Sequence, residues 1–305
     1  KPYVIKIAPG VYIETTTVAM KDHVDVEGSG QVITSINCAC GSSVSQSDYR
    51  PGSVISASAI NAEIRHLTIN NTGSTGTSVG LATYGTLDGT FRMTYITATA
   101  TGGTVRNVGV WNYESNPTMN HVTATATGGT TNYGVYNDED SSPIMNNVTA
   151  TAGGGTGTNT GVYNYYDSYS TMNNVTVTAT GGTEAKGVYN DEFSEPTMNN
   201  VTVTATGGTN NYGVHDWDSS STMNNMTITA TGGTYNYGVY VASGAKPTIR
   251  NSSITANNPI ILTNGGKVKV ANTKLVGFVT GPQADYTCFG AMDADFNELS
   301  SACRT

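Results

Sequence analysis

Apolar and polar residues alternate over short stretches of this chain, and glycines follow each stretch. Residues 175–180 read Val-Thr-Val-Thr-Ala-Thr, which places the apolar residues on one side of a strand and the threonines on the other. Gly181 and Gly182 follow as a turn, and a second short strand is predicted around Val188, with Val188 buried and Tyr189 exposed. The pattern predicts short strands with an apolar line facing a core and a threonine line facing outward.

The same unit recurs along most of the chain. Methionine opens it at Met93, Met119, Met145, Met172, Met198 and Met223, with Ile249 in the next place, so successive differences are 26, 26, 27, 26, 25 and 26. A Gly-Val pair recurs with the same period at Gly109, Gly134, Gly161, Gly187, Gly213 and Gly238. A unit of this length with two or three short strands is typical of one turn of a β-solenoid. Dividing 305 by 26 predicts roughly 11 or 12 coils.

The repeat divides the chain into three regions. Residues 1–92 are predicted to form irregular first coils, with a polar lateral loop over residues 38–53. Residues 93–258 form the regular array, and residues 259–305 form the last coils and a cap. A cap is needed because an open solenoid end exposes unpaired strand edges.

The opening residues resemble a known fold family. The segments Ile-Ala-Pro-Gly-Val-Tyr-Ile-Glu (7–14), Val-Asp-Val-Glu-Gly-Ser-Gly-Gln (24–31) and Ile-Thr-Ser-Ile (33–36) are similar to the opening coils of right-handed parallel β-helix proteins such as pectin methylesterases. The array and the C-terminal end resemble an uncharacterised group of secreted bacterial β-helix proteins over nearly the full length. The resemblance implies an all-β fold, a single right-handed parallel β-helix, and a secreted or cell-surface location, but no activity.

Members of that group usually carry an amphipathic helix before the first coil. No such helix precedes the first strand here, so we expect a bare parallel edge that another subunit could extend, which predicts end-to-end self-association.

Composition limits the partners. Charged residues make up 12% of the chain and the net charge is −8, so no basic stripe could neutralise the phosphates of a nucleic acid. No apolar run reaches the roughly 18 residues of a membrane span.

Four cysteines allow three pairings. We favour Cys288 with Cys303, which would close a C-terminal loop. Cys38 and Cys40 are too close for an easy mutual bridge and are expected to be free or to pair elsewhere. Structural cysteines of this kind indicate an oxidising compartment.

Aromatic and acidic residues recur at one edge of the repeat. Eight aromatic residues are candidates for contact with a polysaccharide or cell-surface glycan: Trp111, Tyr113, Tyr136, Tyr163, Tyr166, Tyr189, Trp217 and Tyr240. The chain has 18 Tyr and only five Phe, which favours rings at a wet surface. Five acids of the same edge could instead bind Ca²⁺, which prefers oxygen ligands: Asp138, Asp140, Asp191, Asp216 and Asp218. The alternative is a structural ladder of rings with solvated acids.

The outward threonines offer a second candidate surface. A flat, uncharged lattice such as Thr176, Thr178 and Thr180 with its copies resembles the ice-binding face of some β-solenoid antifreeze proteins. The alternative is that threonine simply suits the outer surface of a parallel sheet.

No catalytic residue is assigned. The Gly-Tyr-Gln-Asp and Asp-Phe-Ile-Phe-Gly motifs of pectin methylesterases and the Asn-Thr-Asp motif of polygalacturonases are absent. An active site should break the repeat locally, and His215, the only histidine in an acidic group, is interpreted as drift from a tyrosine. The sequence therefore favours a non-enzymatic extracellular solenoid, structural, self-assembling or glycan-contacting. A polysaccharide-degrading lyase or hydrolase with an unrecognised site and an ice-binding protein are the alternatives.

Overall fold

The computed structural model describes residues 3–42, 52–85, 88 and 90–303, and the described part is a β-solenoid without α-helices. Residues 43–51 of the predicted lateral loop lie outside it. The first fifteen strands are β1 Tyr3–Lys6, β2 Gly10–Glu14, β3 Val18–Ala19, β4 Val24–Glu27, β5 Thr34–Cys38, β6 Ser53–Ser58, β7 Glu63–Asn71, β8 Thr77–Tyr84, β9 Arg92–Ala100, β10 Arg106–Tyr113, β11 Thr118–Thr127, β12 Thr131–Asp138, β13 Ile144–Asn146, β14 Thr149–Gly153 and β15 Thr158–Asn164.

The second half of the chain continues the same order. Its strands are β16 Thr171–Asn173, β17 Thr176–Thr180, β18 Glu184–Asp191, β19 Thr197–Asn199, β20 Thr202–Thr206, β21 Asn210–Trp217, β22 Thr222–Asn224, β23 Thr227–Thr231, β24 Tyr235–Ala242, β25 Thr248–Arg250, β26 Ser253–Thr255, β27 Asn258–Leu262, β28 Val268–Ala271, β29 Lys274–Val276 and β30 Tyr286–Phe289. A 3₁₀ turn, Gln283–Asp285, precedes the last strand.

These strands form two stacked parallel sheets. Sheet 1 has twenty strands, and its later coils carry two short strands each, such as β16 and β17. Sheet 2 has ten strands in the order β3, β6, β8, β10, β12, β15, β18, β21, β24 and β27, so nine full turns separate its first strand from its last. Sheet 2 has fewer rungs than the predicted 11 or 12 coils, because the chain before β3 and after β27 adds strands to sheet 1 only.

The core follows the predicted alternation. The six methionines of the repeat are fully buried, and in β17 Val177 and Ala179 are buried while the threonines between them reach the surface. Threonine pairs with threonine in successive coils, as in Thr178 with Thr204. Val188 is buried as predicted, but Tyr189 is only half exposed, because its ring packs between those of neighbouring coils.

The Gly-Val column marks the closest approach of the two sheets. A Cβ on Gly187 would collide with the side chain of Val203 in sheet 1 and lie 2.5 Å from the carbonyl oxygen of Gly213 in the next coil. The backbone of Gly187 is not in the left-handed region, so glycine is needed for its size and not for its conformational freedom.

Asparagines stack in ladders, but the strongest ladder is not at the corner of the coil. Asn147, Asn174, Asn200 and Asn225 occupy that corner in the left-handed conformation, and the amide of Asn200 reaches that of Asn174 at 3.3 Å. A fully buried ladder runs instead along sheet 2. There each amide donates through Nδ2 to the next asparagine at 2.8 Å, in the order Asn112, Asn137, Asn164 and Asn190, which is the last asparagine of the ladder.

Two disulfides are present. The predicted bridge between Cys288 and Cys303 is confirmed, and it fastens the C-terminal cap, in which Leu299 packs on the core. The expectation that Cys38 and Cys40 do not pair with each other is wrong. They form the second bridge, because the chain bends after β5 and brings their Cα atoms to 5.1 Å, within the usual range for a disulfide.

Within the described residues, no helix has the length and apolar character needed to cross a bilayer.

Candidate functional site

The outer face of sheet 2 carries three parallel columns of side chains. The central column, one residue per coil, is Ala82, Trp111, Tyr136, Tyr163, Tyr189, His215 and Tyr240. A second column beside it contains Val108, Tyr133, Thr160, Lys186, Tyr212 and Tyr237. The third, near the strand ends, contains Tyr84, Tyr113, Asp138, Tyr165, Asp191 and Trp217. We call this surface the aromatic face.

Rings of the central column stack on each other along the solenoid. The ring centroids of Tyr136 and Tyr163 are 5.0 Å apart, and those of Tyr163 and Tyr189 are 4.8 Å apart, with planes within 8° of parallel. The two faces of Tyr163 are therefore occupied by its neighbours. Since a sugar stacks on a free ring face, the middle of this column offers ring edges and hydroxyl groups only.

Trp111 and Tyr136 were expected to be exposed, and this was wrong. Trp111 is fully buried and Tyr136 is 8% exposed, because tyrosines of the adjacent columns and coils pack around them. Both donate to Asp138, from Trp111 Nε1 at 3.0 Å and from the Tyr136 hydroxyl at 2.9 Å. Burial raises the pKa of Asp138 to about 6, against the opposing effect of these two hydrogen bonds.

Other tyrosines of the face are also held by acids. The hydroxyl of Tyr163 donates to Asp191 at 3.1 Å, and that of Tyr113 donates to Glu139 at 2.6 Å. Burial and the nearby Asp191 carboxylate raise the pKa of Tyr163, so its phenol stays protonated. These pairs make the face a fixed array of hydroxyls and carboxylates.

At and just beyond the strand ends the chain turns sharply, and three aromatic rings are exposed to solvent there. Tyr166, Phe193 and Trp217 are 45%, 57% and 39% exposed. The corners of successive coils are joined by backbone hydrogen bonds, including that from Asp167 N to Glu192 O at 3.0 Å and from Phe193 N to Asp218 O at 2.8 Å. We call these three rings, with Glu139, Asp140, Asp167, Glu192 and Asp218 around them, the aromatic corner.

Two rings of the corner occupy a costly backbone conformation. Tyr166 has φ +47° and Phe193 has φ +63°, where a bulky residue is a genuine outlier. In the last regular coil Gly244 stands in the place of Phe193, at the same distance from the strand and from the following proline. Neither burial nor backbone preference explains an exposed aromatic residue here, so the corner is the best candidate for a contact surface.

A charged cluster interrupts the aromatic face in β18 and β21. Lys186 Nζ lies 2.9 Å from Glu184 Oε2 and 4.3 Å from the ring centroid of Tyr189. His215, in the next coil, lies between the rings of Tyr189 and Tyr212 at 4.7 and 5.0 Å. Glu184 and Lys186 were missed from the sequence, although aligning each coil with its neighbours would have shown two charges where the adjacent coils have threonine, asparagine or tyrosine.

Asp216 does not belong to this surface, which corrects the expectation for it. Since side chains alternate along β21, His215 and Trp217 point outward and Asp216 points into the core. There it is fully buried, and it accepts from Asn190 at 2.7 Å and from Ser221 at 2.8 Å, so it ends the buried ladder. Burial raises its pKa to about 7, against the effect of these two bonds.

The remaining candidate positions are spread along the face and corner. Asp140 is exposed, Asp191 and Asp218 are half-buried, and Tyr240 packs its edge 4.8 Å from His215. Within the described part of the chain, no three histidine, cysteine or acidic side chains converge as metal ligands would. Asp216 is enclosed and has no access to an external ion. Ca²⁺ binding by Asp138, Asp140, Asp191 and Asp218 stays a prediction.

No protein-family model matches the sequence, and no curated protein matches it. Solved structures do match. The A-module of mannuronan C-5 epimerase AlgE6 from Azotobacter vinelandii is 12% identical with a TM-score of 0.55, over 96% of this chain and 91% of that one.

Two other matches cover larger proteins. The Dettilon tailspike protein is 12% identical with a TM-score of 0.61, over 100% of this chain and 61% of that one. The catalytic domain of a GH87 α-1,3-glucanase is 13% identical with a TM-score of 0.51, over 95% of this chain and 59% of that one. At such identities the likeness concerns the fold, and the chain has the fold of the right-handed parallel β-helix proteins.

Proposed function

We propose that this chain is an extracellular protein that binds a neutral polysaccharide along the aromatic corner. The observation that carries the proposal is the pair Tyr166 and Phe193, two exposed rings kept in the left-handed conformation. Trp217 provides a third free ring in the next coil. The three rings lie in successive coils but at different positions along the coil, and no ring contact joins them among the described residues. Separate exposed rings suit an extended chain of sugars, which stack on aromatic faces and bond to the adjacent acids and hydroxyls.

Charge favours a neutral ligand over a polyuronate. The aromatic corner contains five acids, and the whole chain has a net charge of −8. A polyanion approaching this surface would be repelled, particularly at low salt. The names of the structural neighbours include proteins that act on a uronate polymer and on a neutral glucan, and the charge of this corner supports the second kind of ligand.

Calorimetric titration tests the proposal. The wild type is titrated with neutral glucans and with alginate and polygalacturonate as anionic controls. Loss of one stacking ring is worth about 1 kcal/mol or somewhat more, so Tyr166→Ala and Trp217→Ala should each weaken binding of a neutral glucan about tenfold. Tight binding of the polyuronates alone, or equal binding by the variants, would contradict it.

A second candidate is hydrolysis. Asp138 and Asp191 lie near the ends of β12 and β18, two coils or about 10 Å apart by coil spacing, close to the 6.5–9.5 Å of inverting glycosidases. The raised pKa of Asp138 would suit a general acid. Binding remains the preferred function, because Asp138 is 4% exposed and both its oxygens already accept hydrogen bonds. Release of reducing sugar that Asp138→Asn abolishes would favour hydrolysis.

Self-association and ice binding stay predictions. In the first coil Ile5, Val11 and Ile13 are 55%, 66% and 71% exposed, and a mass measurement in solution tests whether another copy covers them. The threonine lattice has the regular register that ice binding needs, and thermal hysteresis tests it, but none of the comparisons favours that function.

A further inference from the structure

Three departures from the repeat on the aromatic face lie side by side. In the second column Lys186 stands where neighbouring coils have Thr160 and Tyr212, and in the central column His215 stands between Tyr189 and Tyr240. Glu184 likewise replaces the Thr158 of the coil before. Another charge, Arg106, stands in the column of Glu184 in β10, but Glu184, Lys186 and His215 fall together in two adjacent strands.

The three side chains form one contiguous group. The ion pair of Lys186 with Glu184 is half enclosed, with side chains 10% and 30% exposed. The ammonium group lies over the ring of Tyr189, and the same ring contacts His215. Two charges and an imidazole are therefore enclosed among tyrosines, at positions that hold neutral side chains in the coils on either side.

Of the three residues, His215 costs the folded protein the most stability. It is 6% exposed, and neither ring nitrogen has a hydrogen-bond partner among the residues that the structure describes. The tyrosines of the same column avoid this loss, because the hydroxyls of Tyr136 and Tyr163 reach Asp138 and Asp191. An unpaired buried polar group costs about 1–3 kcal/mol, so a residue with this cost and no structural benefit indicates a ligand contact.

The chemistry of the group suits a sugar hydroxyl. Burial and the positive charge of Lys186 lower the pKa of His215, which keeps the imidazole neutral. A neutral imidazole offers one donor and one acceptor, as a hydroxyl does, while Glu184 accepts and Lys186 donates. The opposite charges of the ion pair cancel, which again matches a neutral ligand.

We propose that Glu184, Lys186 and His215 form a subsite that binds the hydroxyl groups of one residue of the neutral polysaccharide. The inference rests on the proposed function of the adjoining aromatic corner. Trp217 joins the two, since its exposed ring lies edge-on to His215 with centroids 6.1 Å apart. The proposed contact requires the Trp217 ring to move aside, so that a sugar stacked at the corner reaches the imidazole.

The repeat itself supplies the test. His215→Tyr restores the residue of the neighbouring coils, and Glu184→Thr with Lys186→Tyr removes both charges together. Titration of a neutral glucan should show at least a tenfold rise in Kd for each variant, with an unchanged or higher melting temperature. Thr178→Ser, on the opposite sheet, is the control and should bind like the wild type.

The outcomes separate the two proposals. If His215→Tyr and the double variant bind the glucan as tightly as the wild type, the subsite is wrong and the corner stands. If the wild type binds no neutral glucan, the proposed function is wrong and the subsite with it.

Discussion

The imidazole of His215 lies 4.7 Å from the phenol ring of Tyr189 in the preceding coil, and it fills a tyrosine's place without a tyrosine's hydrogen bond. Tyr163, one coil further back, uses the same position to donate to Asp191. In a solenoid, equivalent residues of successive coils occupy similar environments. A residue that suits its environment poorly can therefore be identified by comparison with the other coils, without a homologous sequence.

The glycines of the Gly-Val column should be required because a larger side chain would collide with the opposite sheet. Gly187→Ala places a methyl group against Val203, and such overpacking costs about 1–3 kcal/mol. Gly181→Ala is the opposite case, with no atom within 4 Å but φ +73°, and should cost about 1–2 kcal/mol through backbone strain alone. Urea unfolding measures both. Overpacking also forces the sheets apart, so crystal structures should show a shift at residue 187 and none at residue 181; its absence would refute the size argument.

Asp216→Asn should stabilise the protein in a pH-dependent way. The folded pKa of about 7 lies above the ordinary 3.8, so the favourable contribution of this group is present below pH 4 and is lost as the pH rises to 7. Asparagine at this position extends the amide ladder, and because it does not ionise, its contribution to stability does not fall as the pH rises. Its gain in unfolding free energy should grow between pH 4 and 7 and then level off, reaching a few kcal/mol at about 1.4 kcal/mol per pKa unit. A gain that is the same at pH 4.5 and pH 8 would show that Asp216 does not titrate in this range.

Replacing Phe193 with glycine should raise the stability of the protein but weaken its binding of glucan. Phe193→Gly relieves the left-handed strain and should raise the unfolding free energy by about 1 kcal/mol, while weakening glucan binding about tenfold. Phe193→Ala removes the ring but keeps the strain, so it should bind as weakly without the gain in stability. If both variants bind normally, the exposed ring has no role in recognition.

The two disulfides should differ in their contribution to stability. The bridge between Cys288 and Cys303 spans 15 residues, for which loop closure predicts about 3 kcal/mol. The bridge between Cys38 and Cys40 closes a much shorter loop and should contribute about half as much. Thermal unfolding of the two double Cys→Ser variants compares them. A larger loss at Cys38 and Cys40 would indicate that this bridge also stabilises native packing, beyond lowering the entropy of the unfolded chain.

The solenoid could be predicted well from the sequence, because both the alternation within a strand and the length of a coil can be read from residues close together in the chain. The alternation in residues 175–180 gives the two faces of β17, and the intervals between methionines give the coil length. The pairing of Cys38 with Cys40 was missed because it depends on a bend after β5 that no local pattern indicates.

The candidate site was harder to predict than the fold. Trp111 and Tyr136 were placed at the surface because their outward direction was read as exposure, whereas neighbouring rings cover them. Asp216 was grouped with its exposed neighbours although strand alternation points it inward. The strain at Phe193 depends on a backbone angle that sequence does not reveal.

Acrylamide quenching of tryptophan fluorescence tests polysaccharide binding at the corner most directly. The chain has two tryptophans, and since Trp111 is fully buried, acrylamide reaches only Trp217, which is 39% exposed. A saturating neutral glucan should protect Trp217 from quenching, with a midpoint equal to the calorimetric Kd and with no protection by alginate. Quenching that stays unchanged at saturating concentrations of every neutral glucan would contradict the account.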